Sequence, residues 1–180
     1  MSSIIIKQAT ESDIPVIESV LLDTVNWLKD MGQPLWEADE VTWEKLAGKP
    51  PTDGNHYISG NYVINNFYIA YLNGVPAGCM ALIDDDPFFW PDVKKGESLF
   101  MHKLAVTKAA RKSGVADALM NYFKRQGTER GIKAIRLDTD ASRPKTRAFY
   151  ERHGFIHVET RTMGPFQVAF YIYHGSSRHR

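Results

Sequence analysis

Arg111-Lys112-Ser113-Gly114-Val115-Ala116 sets two cations, a glycine and small residues at the point where an apolar strand gives way to an amphipathic helix. A turn of that kind is an anion site. The first N–H groups of a helix have no acceptor inside it, and the helix dipole places partial positive charge there. Lys108, Arg111 and Lys112 add full charges, so the chemistry on offer is the grip of a phosphorylated group. Gly114 leaves the backbone bare where a phosphate would approach most closely. The pattern is not Gly-x-x-x-x-Gly-Lys-Ser/Thr, and no Gly-x-Gly-x-x-Gly follows a strand, which argues against the common nucleotide loops.

The elements that must position this turn can be read from periodicity. Residues 3–8 form a short strand, and Thr10-Glu11-Ser12-Asp13 with Pro15 opens a helix over 12–30 whose stripe is Ile14, Ile17, Leu21, Val25 and Leu28. Gly32 ends it, a shorter helix covers 39–47, and 48–61 reads as a loop. Asn66–Leu72 and Val75–Ile83 are strands joined by Asn73-Gly74, a strong hairpin signal. A strand over 97–106, a helix over 115–130 and a strand over 133–139 make a crossover, so the two strands should be parallel with the helix packed on the sheet. A helix over 143–153 and strands at 155–161 and 166–173 complete the chain, with a disordered tail expected from Gly175 to Arg180.

Bulk properties narrow the class. The 180 residues suit one domain, read here as 1–174, able to bury roughly 70% of its unfolded surface. With 22 basic against 21 acidic residues the formal charge is +1, so no global field recruits nucleic acid or an anionic membrane. The N-terminus lacks the apolar run of a signal peptide and no span follows, which suggests a cytoplasmic protein. A single cysteine, Cys79, excludes an internal disulfide and a Cys-based zinc site, and its apolar neighbours mark it as a buried strand residue.

The Leu104-Ala105-Val106 strand end, the Arg-x-x-Gly-x-Ala turn and the later Phe149-Tyr150-Glu151-x-x-Gly154-Phe155, in this order of elements, resemble the GNAT superfamily of acetyl-CoA-dependent N-acyltransferases. The resemblance covers nearly the whole chain. It implies an α/β (α+β) fold with a mixed central sheet of about seven strands and about four flanking helices. It implies acetyl-CoA as co-substrate and no metal, with a small-molecule or peptide amine as acceptor. The turn would then hold the coenzyme A pyrophosphate through the N–H groups of Ser113, Gly114, Val115 and Ala116 and the charge of Arg111, with Lys112 beside it. Leu104, Ala105 and Val106 would meet the peptide-like pantetheine arm through their backbone, as if adding a strand.

On the helix over 143–153, Arg143, Thr146 and Tyr150 share one face by spacing and Phe149 points to its apolar side. Family members usually carry Asn and Ala where this chain has Arg143 and Thr146, so Ser142 or Thr146 is the substitute contact. Tyr150 matches the family's general acid, placed to assist the departing thiolate.

Acyl transfer to an amine also needs its proton removed, because an ordinary ammonium is only about one part in a few thousand neutral at pH 7. Glu97 and His102 are the candidate bases, and in a regular strand their odd spacing sends them to opposite faces. Asp84-Asp85-Asp86 reads either as a solvated acidic turn or as an attractor of a cationic amine. Trp36, Phe88, Phe89 and Trp90 divide between core packing and an acceptor pocket. Two functions fit: transfer of acetyl to a primary amine by direct attack in a ternary complex, or a non-catalytic acyl-CoA sensor. Strands at the C-terminus leave an edge on which a homodimer could form.

Overall fold

Thr10 turns its N–H onto the Asp13 carboxylate at 2.8 Å, and this cap, with Pro15 in the first turn, starts the first long helix where its sequence pattern says. The computed structural model describes residues 2–49 and 60–175. Its strands are β1 (Ile4–Gln8), β2 (Phe67–Leu72), β3 (Val75–Ile83), β4 (Ser98–Val106), β5 (Ala134–Asp140), β6 (Ile156–Met163) and β7 (Phe166–His174). Its helices are α1 (Ile14–Asp30), α2 (Trp43–Ala47), α3 (Val115–Glu129) and α4 (Pro144–Arg152). The strands hydrogen-bond in the order β1-β2-β3-β4-β5-β7-β6, the mixed seven-strand sheet with four helices that the pattern implied. Most of the expected 48–61 loop, and the tail after Gly175, lie outside the described residues.

The chain forms two compact units: Met1–Ala81 with Lys103–Leu119, and Leu82–His102 with Met120–Arg180. In the first, β1 pairs antiparallel with β2, and β2 with β3 through a hairpin closed at Leu72↔Val75. Asn73 (φ 51°) and Gly74 (φ 81°) both take the left-handed region, as a tight hairpin turn requires. Ile17, Leu21 and Val25 of the α1 stripe are buried, as are Leu46, Phe67 and Ile69. Gly78 sits where an added Cβ would stand 2.8 Å from the Ala105 carbonyl oxygen and 2.9 Å from a Val115 methyl. Only a hydrogen there lets β3 come so close to the end of β4 and the start of α3.

In the second unit the crossover is as expected: β4 and β5 run parallel, paired from Ser98↔Ala134 to Phe100↔Arg136. β5 then pairs antiparallel with β7, and β7 with β6. Trp90, Phe100, Val168 and Phe170 form a buried cluster, with the Trp90 and Phe170 rings edge to face at 5.0 Å. Of the four aromatics Trp90 is in the core, Trp36 and Phe89 are half-buried and Phe88 is exposed. Among the described residues no helix is long and apolar enough to cross a membrane.

One backbone feature departs from a regular strand. Lys103, within β4, has φ +54°, a left-handed conformation that long side chains rarely adopt. Such a residue breaks the alternation of faces beyond it, toward the end of β4; Glu97 lies just before β4, outside the strand, so the parity argument about Glu97 and His102 does not apply.

Candidate functional site

In the first unit the strand end and the turn follow each other without a gap. Ala105 is buried and Leu104 and Val106 are half-buried; the Val106 carbonyl accepts from Thr24 Oγ1 at 3.3 Å, and Thr107 N–H donates to Ala77 at 2.9 Å. A single 3-10 turn over Lys108–Ala110 carries the chain onward, anchored where Lys108 N–H meets Asp23 Oδ2 at 2.7 Å. Lys112 (φ 60°) and Gly114 (φ 89°) are both left-handed, which folds the backbone into a tight concavity ahead of α3. Ala118 N–H bonds to Gly114 O at 2.9 Å, so the N–H groups of Val115 and Ala116 precede the first helical donor and point out of the helix end.

Two details differ from the expectation. Ser113 is not a free donor: its N–H reaches Ala110 O at 3.3 Å and its hydroxyl donates to the same carbonyl, a local bond that the serine prefers to an open one. Arg111 is not a loose cation either. Its guanidinium lies 3.2 Å from the centroid of Trp27, and burial pulls its pKa down while Asp23 pushes it back up. The stack fixes the guanidinium plane and leaves its N–H edge available. Lys112 is exposed. The concavity, two outward N–H groups and a pre-oriented guanidinium therefore fit a phosphate.

In the second unit a buried polar cluster replaces the expected solvated acidic turn. Asp84 and Asp85 are exposed, but the Asp86 side chain is 4% exposed and its Oδ2 lies 2.7 Å from Nε2 of His102, whose side chain is 8% exposed. Asp86 Oδ1 accepts the Phe89 N–H at 3.2 Å, so a local turn bond holds the carboxylate for the histidine. Asp138 on β5 receives the Trp90 indole N–H at 3.3 Å. Burial pushes its carboxyl up to about 7, with His102 pulling it down and Asp86 adding to the rise. The donor atoms of Asp86, His102 and Asp138 lie within 4.8 Å of one another, a spacing a divalent cation would accept. The short His102–Asp86 contact and the indole donor already engage the three groups, the pattern of a hydrogen-bonded acid–base cluster.

Asp138 lends itself to a pH test. Its folded pKa lies above its unfolded value, so the native state keeps the proton longer than the unfolded chain. The stability this gives is present below about pH 4 and lost as pH rises through about 7. Asp138→Asn keeps the acceptor for Trp90 and abolishes the titration. The melting-temperature gain of the variant over the wild type should therefore be small near about pH 4 and grow to the equivalent of a few kcal/mol by about pH 8. A gain that does not change with pH would contradict the assignment.

Tyr150 is buried on α4, with ring centroids of Phe149, Phe155 and Tyr171 at 5.7, 6.4 and 6.0 Å. Burial first, then the charges of Asp138 and Tyr171, raise its pKa, so the phenol stays protonated. Tyr171 is committed elsewhere: its hydroxyl accepts from Arg147 Nε at 2.9 Å and donates to Glu151 at 3.0 Å. Thr146 and Tyr150 share a face of α4. Arg143 does not join them, because it is the N-cap, before the helix, with φ −107° and its Nε 4.0 Å from Asp140 Oδ2. The signal was Pro144, which steers the residue before it away from helical geometry. Ser142 donates its hydroxyl to Asp140 at 2.7 Å, Thr146 is half-buried, and Phe149 packs edge-on against His153 at 4.8 Å. Glu97 stands apart from the cluster: it precedes β4, is exposed, and acts electrostatically on Arg136.

Asp138 and Lys103 escaped the sequence reading. Both are charged residues on strand segments, Ile-Arg-Leu-Asp-Thr and Met-His-Lys-Leu, and an ionisable group set among the apolar positions of a strand is the signal that marks them. Cys79 is as read, fully buried, its thiol donating to Lys103 O at 3.8 Å and pushed up to about 12 by burial.

The profile of the Acetyltransferase (GNAT) family matches residues 31–155. An uncharacterized N-acetyltransferase of Bacillus subtilis strain 168, YesJ, is 25% identical over 156 residues, which cover 82% of this chain and 78% of that protein. Among solved structures, the fold is similar to a GNAT-family acetyltransferase from Listeria monocytogenes, with a TM-score of 0.71 at 18% identity over 95% of this chain and 94% of that one. It is also similar to the PaiA N-acetyltransferase of Thermoplasma acidophilum in complex with coenzyme A, with a TM-score of 0.68 at 13% identity over 96% and 99% of the two chains.

Proposed function

Because the chain belongs to the GNAT acetyltransferase family, we propose that it transfers the acetyl group of acetyl-CoA to a primary amine of a small molecule or peptide, by direct attack in a ternary complex. Residues 1–174 form the N-acetyltransferase domain in this reading. The observation that carries it is the turn before α3, where left-handed Lys112 and Gly114 present the Val115 and Ala116 N–H groups beside an Arg111 guanidinium fixed on Trp27. Those groups would hold the pyrophosphate, and the backbone of Leu104–Val106 the pantetheine arm. Bound there, acetyl-CoA supplies the activated acyl carbon.

The remaining chemistry is proton management. His102, hydrogen-bonded to Asp86, is the base that takes the ammonium proton, directly or through water; the carboxylate orients the ring. Tyr150, kept neutral by burial, donates to the sulfur as negative charge develops on it. The coenzyme A complex of the PaiA neighbour supports the same cofactor here.

Acetyl-CoA incubated with the protein and a broad panel of primary amines, with free thiol followed over time, should give acceptor-dependent release. Thiol release no faster than the protein-free hydrolysis rate for every amine would overturn the enzyme reading.

A further inference from the structure

Lys103 is the least economical residue in the first unit. Its side chain is buried, with 8% exposed, yet it sits on the left-handed residue of β4, where a long side chain is strained. Its ammonium lies 4.6 Å from the centroid of Trp36, and among the described residues no carboxylate comes within ion-pair distance. Glu40 acts only from further away, and its carboxylate is already committed to the Glu37 N–H at 2.9 Å. Burial has pulled the Lys103 pKa down to about 8, with Glu40 and Cys79 only partly offsetting it.

An aromatic face attracts a cation but accepts no conventional hydrogen bond, so among the described residues the donors of this ammonium have no oxygen partner. A position chosen for stability alone would carry methionine or leucine, since an unpaired buried charge is costly. What completes the arrangement is an anion: it brings oxygen acceptors and opposite charge into a site already desolvated and walled on one side by Trp36. In the reading above the cofactor's pyrophosphate goes to the turn at 111–116. Trp36 belongs to the segment between α1 and α2, within the part of the chain before residue 97, to which acceptor choice falls once the rest holds the cofactor.

We propose that Lys103, backed by Trp36, is the specificity-determining residue for the acceptor and binds an anionic group, a carboxylate or a phosphonate or phosphate, carried by the same molecule as the reacting amine. This rests on the N-acetyltransferase reading above. The substrate class is then an amino acid or amino-phosphonate type of amine rather than a polyamine or a simple alkylamine.

The test compares γ-aminobutyrate, aminopropylphosphonate, γ-aminobutanamide and butylamine as acceptors for the wild type and Lys103→Met, by initial rates of thiol release from acetyl-CoA. The propylene spacer keeps the basicity of the amine similar across the set. In the wild type, kcat/KM for one of the anionic amines should exceed that for the neutral pair by about 30-fold or more, and Lys103→Met should erase the ratio. The favoured anionic arm tells carboxylate from phosphonate. Unchanged thermal stabilisation of the variant by acetyl-CoA shows that it is folded and loaded. A wild type indifferent to the anion, or a preference that survives in Lys103→Met, overturns the proposal. A second readout does not depend on turnover: the Lys103 ε-methylene carbon resonance, titrated with pH in the presence of coenzyme A, should show a raised pKa when γ-aminobutyrate or aminopropylphosphonate is added and none with butylamine. That shift with no amine acetylated would sink the transferase reading and keep the site, whereas no shift sinks the site.

Discussion

Tyr150→Phe should lower kcat about 100-fold or more while leaving the affinity for acetyl-CoA and the melting temperature nearly unchanged. The ring stays, and with it the contacts to Phe149, Phe155 and Tyr171 that hold α4 to its neighbours, so the variant folds and binds as before. Only the hydroxyl goes. A thiolate of ordinary pKa near 8.5 leaves poorly from a tetrahedral carbon unless a donor meets the growing charge, and a buried phenol is worth more there than a solvated one.

The direction of its pKa shift sharpens the role. Burial raises it, so Tyr150 is weak as a freely ionising acid but remains a donor throughout the working pH range. The wild-type rate should therefore show no alkaline decline from this group below about pH 10, its ordinary value. The experiment is a pH profile of kcat for both proteins with one responsive amine. Equal kcat values would remove Tyr150 from the reaction and leave it a packing residue.

How far the sequence reaches is clearest from the pairs that succeeded and failed side by side. Asn73-Gly74 fixed a hairpin because its left-handed requirement is local, met by those two residues whatever surrounds them. Lys103 is equally left-handed, yet nothing in Met-His-Lys-Leu asks for it; that conformation is imposed by the sheet and is invisible to a local pattern. Asp84, Asp85 and Asp86 look alike in sequence, and only the fold separates them, by bringing His102, sixteen residues later, onto the third. The cofactor turn was legible because a strand, a glycine turn and a helix start are consecutive in the chain. The acid–base cluster was not, because β4, β5 and the loop after β3 meet only in three dimensions.

Gly114→Val should abolish measurable acetyl-CoA binding at a modest cost in stability, and that imbalance is what separates a ligand site from a structural turn. At φ +89° a β-branched residue is strained, by roughly 1–2 kcal/mol. The protein itself has room, since an added Cβ would meet only an Ile4 methyl at 3.9 Å, an ordinary contact. Were Gly114 there for the fold alone, the loss would end with that strain, about 2–8 °C in melting temperature for a chain of this size. If the Val115 and Ala116 N–H groups hold a pyrophosphate, any side chain at 114 either stands in its path or relaxes the concavity that aims them. Wild-type protein with acetyl-CoA at about 100 times its dissociation constant should gain roughly 2.7 kcal/mol, or about 5–11 °C. In Gly114→Val the same concentration should give no gain, and Gly114→Ala should fall between, keeping the strain but adding the smaller side chain. A full ligand-induced shift in the valine variant would mean that the phosphates bind elsewhere, because no rearrangement of α3 could present those two N–H groups while accommodating a branched side chain before them.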